Sequence, residues 1–359
     1  MDARSEFVSG RCKQPPQFPA IMAMVACLWW NTSITNAQAQ ERFEFREPHL
    51  GTIVDLTLYA PDETAANESA QAAFARIEEL NRILSDYNPD SEVMQLCRTA
   101  GTGKAVSVSP ELFEVLAKSI QISQATDGAF DVTIAPVVKL WRIARRQRKP
   151  PPEAQLTAAR QLVGWKEIHL DSKARTVELR KTGMLLDFGG IAKGYIADQA
   201  RAVLIARGIR QCLVAVAGDI SAGDPPPGRD GWRIGIAPLD KPDGDPSRYV
   251  RLANCSISTS GDAFQFVEIE GIRYSHIVDP ATGLGLTRRS SVTVVAPHGI
   301  DADGLATAVS ILGPDRGLKL IDQSKGSAAL IVLATDSGMS VTESTGFGKF
   351  VIFQEKSGK

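Results

Sequence analysis

Three short stretches hold residue types whose spacing could do chemistry. Residues 185–195 (LLDFGGIAKGY) read as a short apolar strand ending in Asp187, a Gly189–Gly190 turn, and a helix from Ile191 that carries Lys193. Glycines let backbone groups approach a phosphate or a metal, a helix start favours anions, and Lys193 adds a mobile positive charge. An ordinary strand-to-helix turn accounts for the same residues. Neither G-x-x-x-x-G-K-[ST] nor a G-x-G-x-x-G after a strand is present. Residues 301–308 (DADGLATA) put Asp303 and Thr307 four apart, on one side of a helix. One carboxylate with one hydroxyl suits a hard cation such as Mg2+, which keeps water and phosphate oxygens as its other ligands. Asp301 or Asp303 is equally an exposed cap at a helix start, worth about 1 kcal/mol with no metal. Residues 274–283 (YSHIVDPATG) join His276 to an Asp-Pro turn and a Thr-Gly pair. An imidazole titrating near its ordinary value of about 6.5 is a general base around neutral pH. A polar turn with a hydrogen-bonded His is the other reading.

Three less specific stretches are residues 85–91 (SDYNPDS), residues 127–133 (DGAFDVT) and Ala217-Gly218-Asp219. All are dense in Gly, Asp or aromatics, as ligand-lining loops and plain turns both are. The four His show no H-E-x-x-H spacing and the five Cys no C-x-x-C, so neither a His-built zinc site nor a disulfide framework is expected. Cys212 and Cys255 sit in apolar strand-like runs and are expected to be buried.

The elements that position these residues can be read from periodicity. Residues 51–59 alternate apolar and polar, as a strand does, and residues 63–84 carry Ala70, Ala73, Phe74, Ile77, Leu80, Ile83 and Leu84 at helical spacing. Residues 110–125 form a second amphipathic helix, with Ser109 as N-cap and Pro110 first. Residues 145–152 (RRQRKPPP) read as a solvated basic loop and 225–231 as a turn. Strands are expected at 211–216, 250–259, 264–269, 291–296 and 328–334, and helices at 301–312 and 314–324. No period of 20–50 residues repeats, and strands outnumber what a βαβ series would give, so the fold class is α+β.

With 359 residues, Lys+Arg 40 against Asp+Glu 41, and 43% hydrophobic residues, the chain has ample core and no basic excess for nucleic acid. Residues 1–39 read as a leader. Arg4, Arg11 and Lys13 precede the apolar run 18–30, and Ala37-Gln38-Ala39 offers an A-x-A cleavage site after Ala39. A lipobox reading, residues 24–27 ending in Cys27, would instead leave a lipid anchor. Either way the body, 40–359, is exported, and membrane contact is confined to the leader or that anchor. The apolar run is short for a span.

Taken in order, the stretches resemble the ApbE-type FAD:protein FMN transferases, flavin transferases of bacterial export compartments. The resemblance covers about residues 43–353. It runs through Leu50-Gly51-Thr52, Ser85-x-Tyr87-x-x-x-Ser91, Asp127 to Pro136, Asp187 to Tyr195, Gly218-Asp219, Ser260-Gly261-Asp262, His276 to Gly283, and Asp303-x-x-Ala306-Thr307-Ala308. The chain departs from the family at Leu50, usually Met, and at Ala217, commonly Gly.

The resemblance implies an α+β fold of mixed sheets with packed helices and an FAD cleft between its parts. It implies cleavage of the FAD pyrophosphate with Mg2+, attachment of FMN through a phosphoester to a Thr or Ser of another exported protein, and release of AMP. Carried over residue by residue, Asp303, Thr307 and the carbonyl of Gly190 are the Mg2+ ligands. Leu50, Tyr87, Ala129, Phe130, Asp131, Asp187, Lys193 and Ile277 contact FAD, and His276 is the base for the acceptor hydroxyl. A periplasmic location follows. Two other outcomes use the same residues: an Mg2+-dependent FAD pyrophosphatase giving AMP and FMN, and a non-enzymatic FAD-binding protein.

Overall fold

Alternation over Thr52–Ala60 puts Val54, Leu56, Leu58 and Ala60 on one face, and all four are fully buried. The computed structural model describes residues 40–241, 243–262 and 265–352. The leader reading of residues 1–39 therefore lies outside the described residues.

The chain opens with β1 (Glu41–His49), β2 (Thr52–Ala60), α1 (Glu63–Leu84), α2 (Glu92–Cys97), β3 (Val106–Ser107) and α3 (Pro110–Ala125). It continues through α4 (Ala135–Gln147), α5 (Glu153–Gln161), β4 (Ile168–Asp171), β5 (Thr176–Leu179) and α6 (Ala192–Ala206). Then come β6 (Cys212–Val216), β7 (Asp219–Ala222), β8 (Trp232–Ile236), β9 (Arg248–Leu252), β10 (Cys255–Gly261), β11 (Phe266–Ile269) and β12 (Ile272–Ser275). The last elements are β13 (Ser290–Ala296), α7 (Gly299–Gln323), β14 (Ala328–Thr335) and β15 (Gly338–Glu343).

The main sheet has the order β1-β2-β6-β7-β10-β13-β14-β15. Each neighbour is the sheet's next strand in chain order, and every pairing is antiparallel. The sheet is thus a meander whose connections carry the rest of the protein. The connection from β2 to β6 holds α1 to α6, that from β7 to β10 holds the β8–β9 hairpin, and α7 joins β13 to β14. Helices α1 and α6 bury Ile77, Leu80, Ala197 and Leu204 with Leu56 and Val214 of the sheet. The β8–β9 hairpin, through Trp232, Val250 and Leu252, shares a second core with Ala222, Val295 and Leu330. Strand β13 is buried along its whole length, its polar Ser290, Ser291 and Thr293 included. The fold is α+β, as expected.

Local signals locate several elements well. Asp62 caps α1 by accepting from the Ala65 amide at 2.8 Å, and Ser109 caps α3 with Pro110 at its first position. Four readings are corrected. Residues 145–147 of the basic loop are the last turn of α4, which Arg148 ends in a left-handed conformation at φ 52°. The single strand expected over 250–259 is two, β9 and β10, separated at Asn254 with φ 51°. The apolar run before Asp187 is not a strand, although Met184 and Leu186 are buried and the Asp187 amide donates to the Val132 carbonyl. Cys212 is buried, but Cys255 is only partly so. Among the described residues no helix is long and apolar enough to cross a membrane.

Candidate active site

The site begins where α6 crosses α7 at backbone contact. A Cβ on Gly194 would lie 2.0 Å from the Gly299 carbonyl oxygen and 2.8 Å from the Asp303 Cβ, so glycine is what lets the two helices meet. The crossing delivers Asp303 of α7 to the open start of α6. The Gly194 amide donates to Asp303 Oδ2 at 3.1 Å, so a carboxylate from one helix caps the other. Asp303 is therefore buried, not the exposed cap that its position near a helix start suggested. At the first turn of α7 it is Asp198 that accepts from the Gly299 amide, at 2.6 Å.

Charge accumulates around this crossing. Lys193 pairs with Asp219 Oδ2, and Asp219 Oδ1 accepts from the Ser258 hydroxyl at 2.5 Å. Burial opposes the Lys193 ammonium, but Asp303 and Asp219 outweigh it and raise its pKa. Burial, and then the Asp219 carboxylate, push Asp303 up to about 7 against Lys193 and the amides of α6. Two buried carboxylates facing one ammonium leave a deficit of positive charge. Thr307, one turn along α7, lies against the turn before α6: a Cβ on Gly190 would stand 2.8 Å from its Oγ1. Ser260 Oγ is 3.4 Å from the same hydroxyl. Among the described residues no three His, Cys, Asp or Glu side chains cluster as metal ligands. Asp303 and Asp219 with the Thr307 and Ser260 hydroxyls are oxygen donors, a set that fits a hard, partly hydrated cation better than zinc.

His276 lies just beyond β12 on a loop fastened from α4. The Trp141 indole donates to the Gly283 carbonyl at 2.7 Å and its ring packs 4.9 Å from Tyr274. The His276 Nδ1 faces the Gln265 carbonyl at 3.1 Å. A carbonyl only accepts, so Nδ1 carries the proton and Nε2 keeps its lone pair. Burial pushes the imidazole down to about 4, with Arg145 and Lys193 adding to the effect. It is neutral across the physiological range and does not titrate near 6.5.

A third group forms the far wall. Arg142 of α4 donates to Asp86 Oδ2 at 2.6 Å and Asp187 Oδ2 at 3.0 Å, and its guanidinium lies 4.2 Å over the Tyr87 ring. Burial and the nearby Asp86 raise the pKa of Asp187, while Arg142 opposes them. Tyr87 is 75% exposed, an aromatic face held open to solvent by a cation beneath it. Asp131 is spoken for inside the fold: Oδ1 accepts from the Thr133 amide and hydroxyl, Oδ2 from the Trp165 amide at 3.0 Å. Leu50 occupies the tip of the β1–β2 hairpin, where Leu50 and Gly51 both have positive φ, 56° and 69°. Ala217, at the β6–β7 turn, is also left-handed at φ 54°, which accounts for glycine as the residue suited to that place.

These groups surround one cleft of about 1380 Å³. Its wall includes all twelve residues singled out from the sequence: Leu50, Tyr87, Ala129, Phe130, Asp131, Asp187, Gly190, Lys193, His276, Ile277, Asp303 and Thr307. Phe130 and Ile277 are buried in its apolar part. Sequence reasoning missed Arg142 and Arg145, and it placed Asp86 only within the less specific stretch 85–91. The i, i+4, i+7 spacing of Val138, Arg142 and Arg145, all on the cleft wall, carried the signal, hidden because the basic run was read as loop.

A family model described as the ApbE family matches residues 50–331. The FAD:protein FMN transferase of Haemophilus influenzae is 30% identical over 302 residues, covering 81% of this chain and 86% of that protein. The one from Treponema pallidum is 30% identical over 328 residues, 87% of this chain and 90% of its own length. The solved structure of the flavin transferase ApbE from Vibrio cholerae superposes with a TM-score of 0.77 at 28% identity, covering 87% of this chain and 99% of that one. The apo Pseudomonas stutzeri flavinyl transferase ApbE gives 0.76 at 30% identity, over 87% and 97%. The chain belongs to the ApbE family.

Proposed function

We propose that this protein transfers FMN from FAD to a Thr or Ser hydroxyl of an acceptor protein, with Mg2+ as the assisting ion. The observation that carries the reading is the convergence in one cleft of an unprotonated His276 Nε2, the Lys193 ammonium, and the oxygen donors Asp303 and Thr307 beside Gly190. Asp303, Thr307 and the Gly190 carbonyl would hold the ion. When bound, Mg2+ supplies charge neutralisation at the pyrophosphate.

The chain's own residues do the rest. His276 Nε2 takes the proton of the acceptor hydroxyl, and that oxygen forms a bond to the phosphorus of the FMN half. The bond from this phosphorus to the bridging oxygen breaks, and its electron pair leaves with AMP. Lys193, fixed by Asp219, offsets the charge that develops on the phosphoryl oxygens. The apolar wall around Phe130, Ile277 and Leu50 suits a flavin ring, and the exposed Tyr87 face suits a second aromatic ring. The leader reading of residues 1–39 supports an exported, periplasmic enzyme whose acceptor shares that compartment.

Chromatography of FAD turnover with and without an acceptor tests this. AMP release that needs both the acceptor and Mg2+ is the expected result. AMP and free FMN released equally without acceptor would make the protein an FAD pyrophosphatase instead.

A further inference from the structure

Three cations line the cleft: Arg142, Arg145 and Lys193. Arg142 is held by Asp86 and Asp187, and Lys193 by Asp219. Arg145, partly buried in the same wall, has no hydrogen bond or ion pair among the described residues. The neighbouring bases of its helix end do not share its place. Arg146, Arg148 and Lys149 are exposed and off the cleft wall.

The Arg145 guanidinium is only half-buried and its nitrogens still meet water, so it is a cation open to the cleft with no protein partner among the described residues, free to meet an anion there. Burial holds Arg145 below the ordinary guanidinium value; Tyr87 opposes this and the like charge of Arg142 adds to it. Its field also reaches His276, as that of Lys193 does, so the imidazole sits within range of two cations of which only one is neutralised. The planar fork of an arginine matches paired phosphate oxygens in a way a lysine cannot.

We propose that Arg145 is a phosphate-contacting residue of this cleft, its guanidinium taking phosphoryl oxygens of the dinucleotide substrate. The inference rests on the FAD reading above. It makes α4 the source of a second positive contact on the pyrophosphate, beside that of Lys193 on α6. It also gives Arg142 and Arg145, one turn apart, separate tasks: Arg142 supports Tyr87 and ties Asp86 to Asp187, and Arg145 meets the ligand.

The test compares wild type with Arg145→Gln, Arg145→Lys and the off-wall control Arg146→Gln in the full chain. Dissociation constants for FAD, ADP and riboflavin are measured by fluorescence or calorimetric titration in one Mg2+ buffer. Loss of a charge-assisted contact predicts about tenfold or more weaker FAD and ADP binding for Arg145→Gln. Riboflavin, which has no phosphate, should bind unchanged, Arg145→Lys should fall between, and Arg146→Gln should match wild type. Equal weakening for riboflavin would make Arg145 a structural residue and overturn the inference. So would unchanged FAD and ADP binding with a raised KM for the acceptor, because the anion would then be an acceptor carboxylate. Wild-type protein that binds neither FAD nor ADP would remove the functional reading itself, a result distinct from either.

Discussion

The pH profile of transfer follows from how His276 is held. An ordinary imidazole, titrating at about 6.5, would be roughly nine-tenths protonated at pH 5.5 and about one-tenth protonated at pH 7.5. Its activity as a base would change about tenfold across that interval. His276 is pushed down to about 4 by burial, reinforced by Arg145 and Lys193. At pH 5.5 it would then be only a few per cent protonated, so the base itself should cost almost nothing between pH 7.5 and 5.5. Asp303 complicates the profile, because without a cation it takes up a proton near pH 7. Protons and Mg2+ then compete for one carboxylate, so the Mg2+ concentration needed for half-maximal rate should rise up to about tenfold per pH unit below that point. The assay is flavin transfer measured from pH 5 to 8 at saturating and at limiting Mg2+. The saturating profile should be flat to about pH 5, and the limiting one should fall from about pH 7. His276→Ala should lose about 10²-fold in rate across the whole range while binding FAD normally. A tenfold fall between pH 7.5 and 5.5 that no amount of Mg2+ removes would refute the reasoning about His276.

The Asp303 pKa is raised on folding, so its contribution to stability is fully present below about pH 3.8 and is lost as pH rises through about 7. Asp303→Asn should therefore melt higher than wild type in metal-free buffer at pH 8, and Mg2+ should raise the melting temperature of wild type but not of the variant, read by calorimetry. Gly194→Ala should destabilise by about 3 kcal/mol in denaturant titration, because the methyl would meet the Gly299 carbonyl, which lies 2.0 Å from where it must sit. Ala217→Gly should stabilise by about 0.5–1 kcal/mol, because a left-handed backbone at φ 54° strains alanine and not glycine. A lower melting temperature for that variant would contradict the strain assignment.

What the sequence made legible was local. The caps Asp62 and Ser109, the helical spacing of α1 and α3, and the alternation of β2 each depend on residues within a turn or two. Strand β1 escaped notice because it is an edge strand whose Glu and Arg residues face outward around Phe43 and Phe45. The division between β9 and β10 rests on the backbone of Asn254, a residue that tolerates positive φ but does not require it. The candidate site residues were legible as a family resemblance, and their physical states were not. That Asp303 is buried depends on two glycines, Gly194 and Gly299, far apart in the chain, meeting at a helix crossing. That His276 is held neutral depends on its burial and on cations of α4 and α6, and its tautomer on the Gln265 carbonyl. Gly194 and Gly299 lie about a hundred residues apart and His276 lies far from Arg145 and Lys193, beyond any local window of sequence.

The central claim is that a protein hydroxyl, and not water, receives the FMN. The most direct measurement is mass spectrometry of an exported acceptor after incubation with this protein, FAD and Mg2+, with peptide mapping and AMP quantified in the same sample. The account predicts FMN joined through its phosphate to one Thr or Ser, formed in step with AMP and absent with Asp303→Asn. AMP released with free FMN and an unmodified acceptor would contradict it.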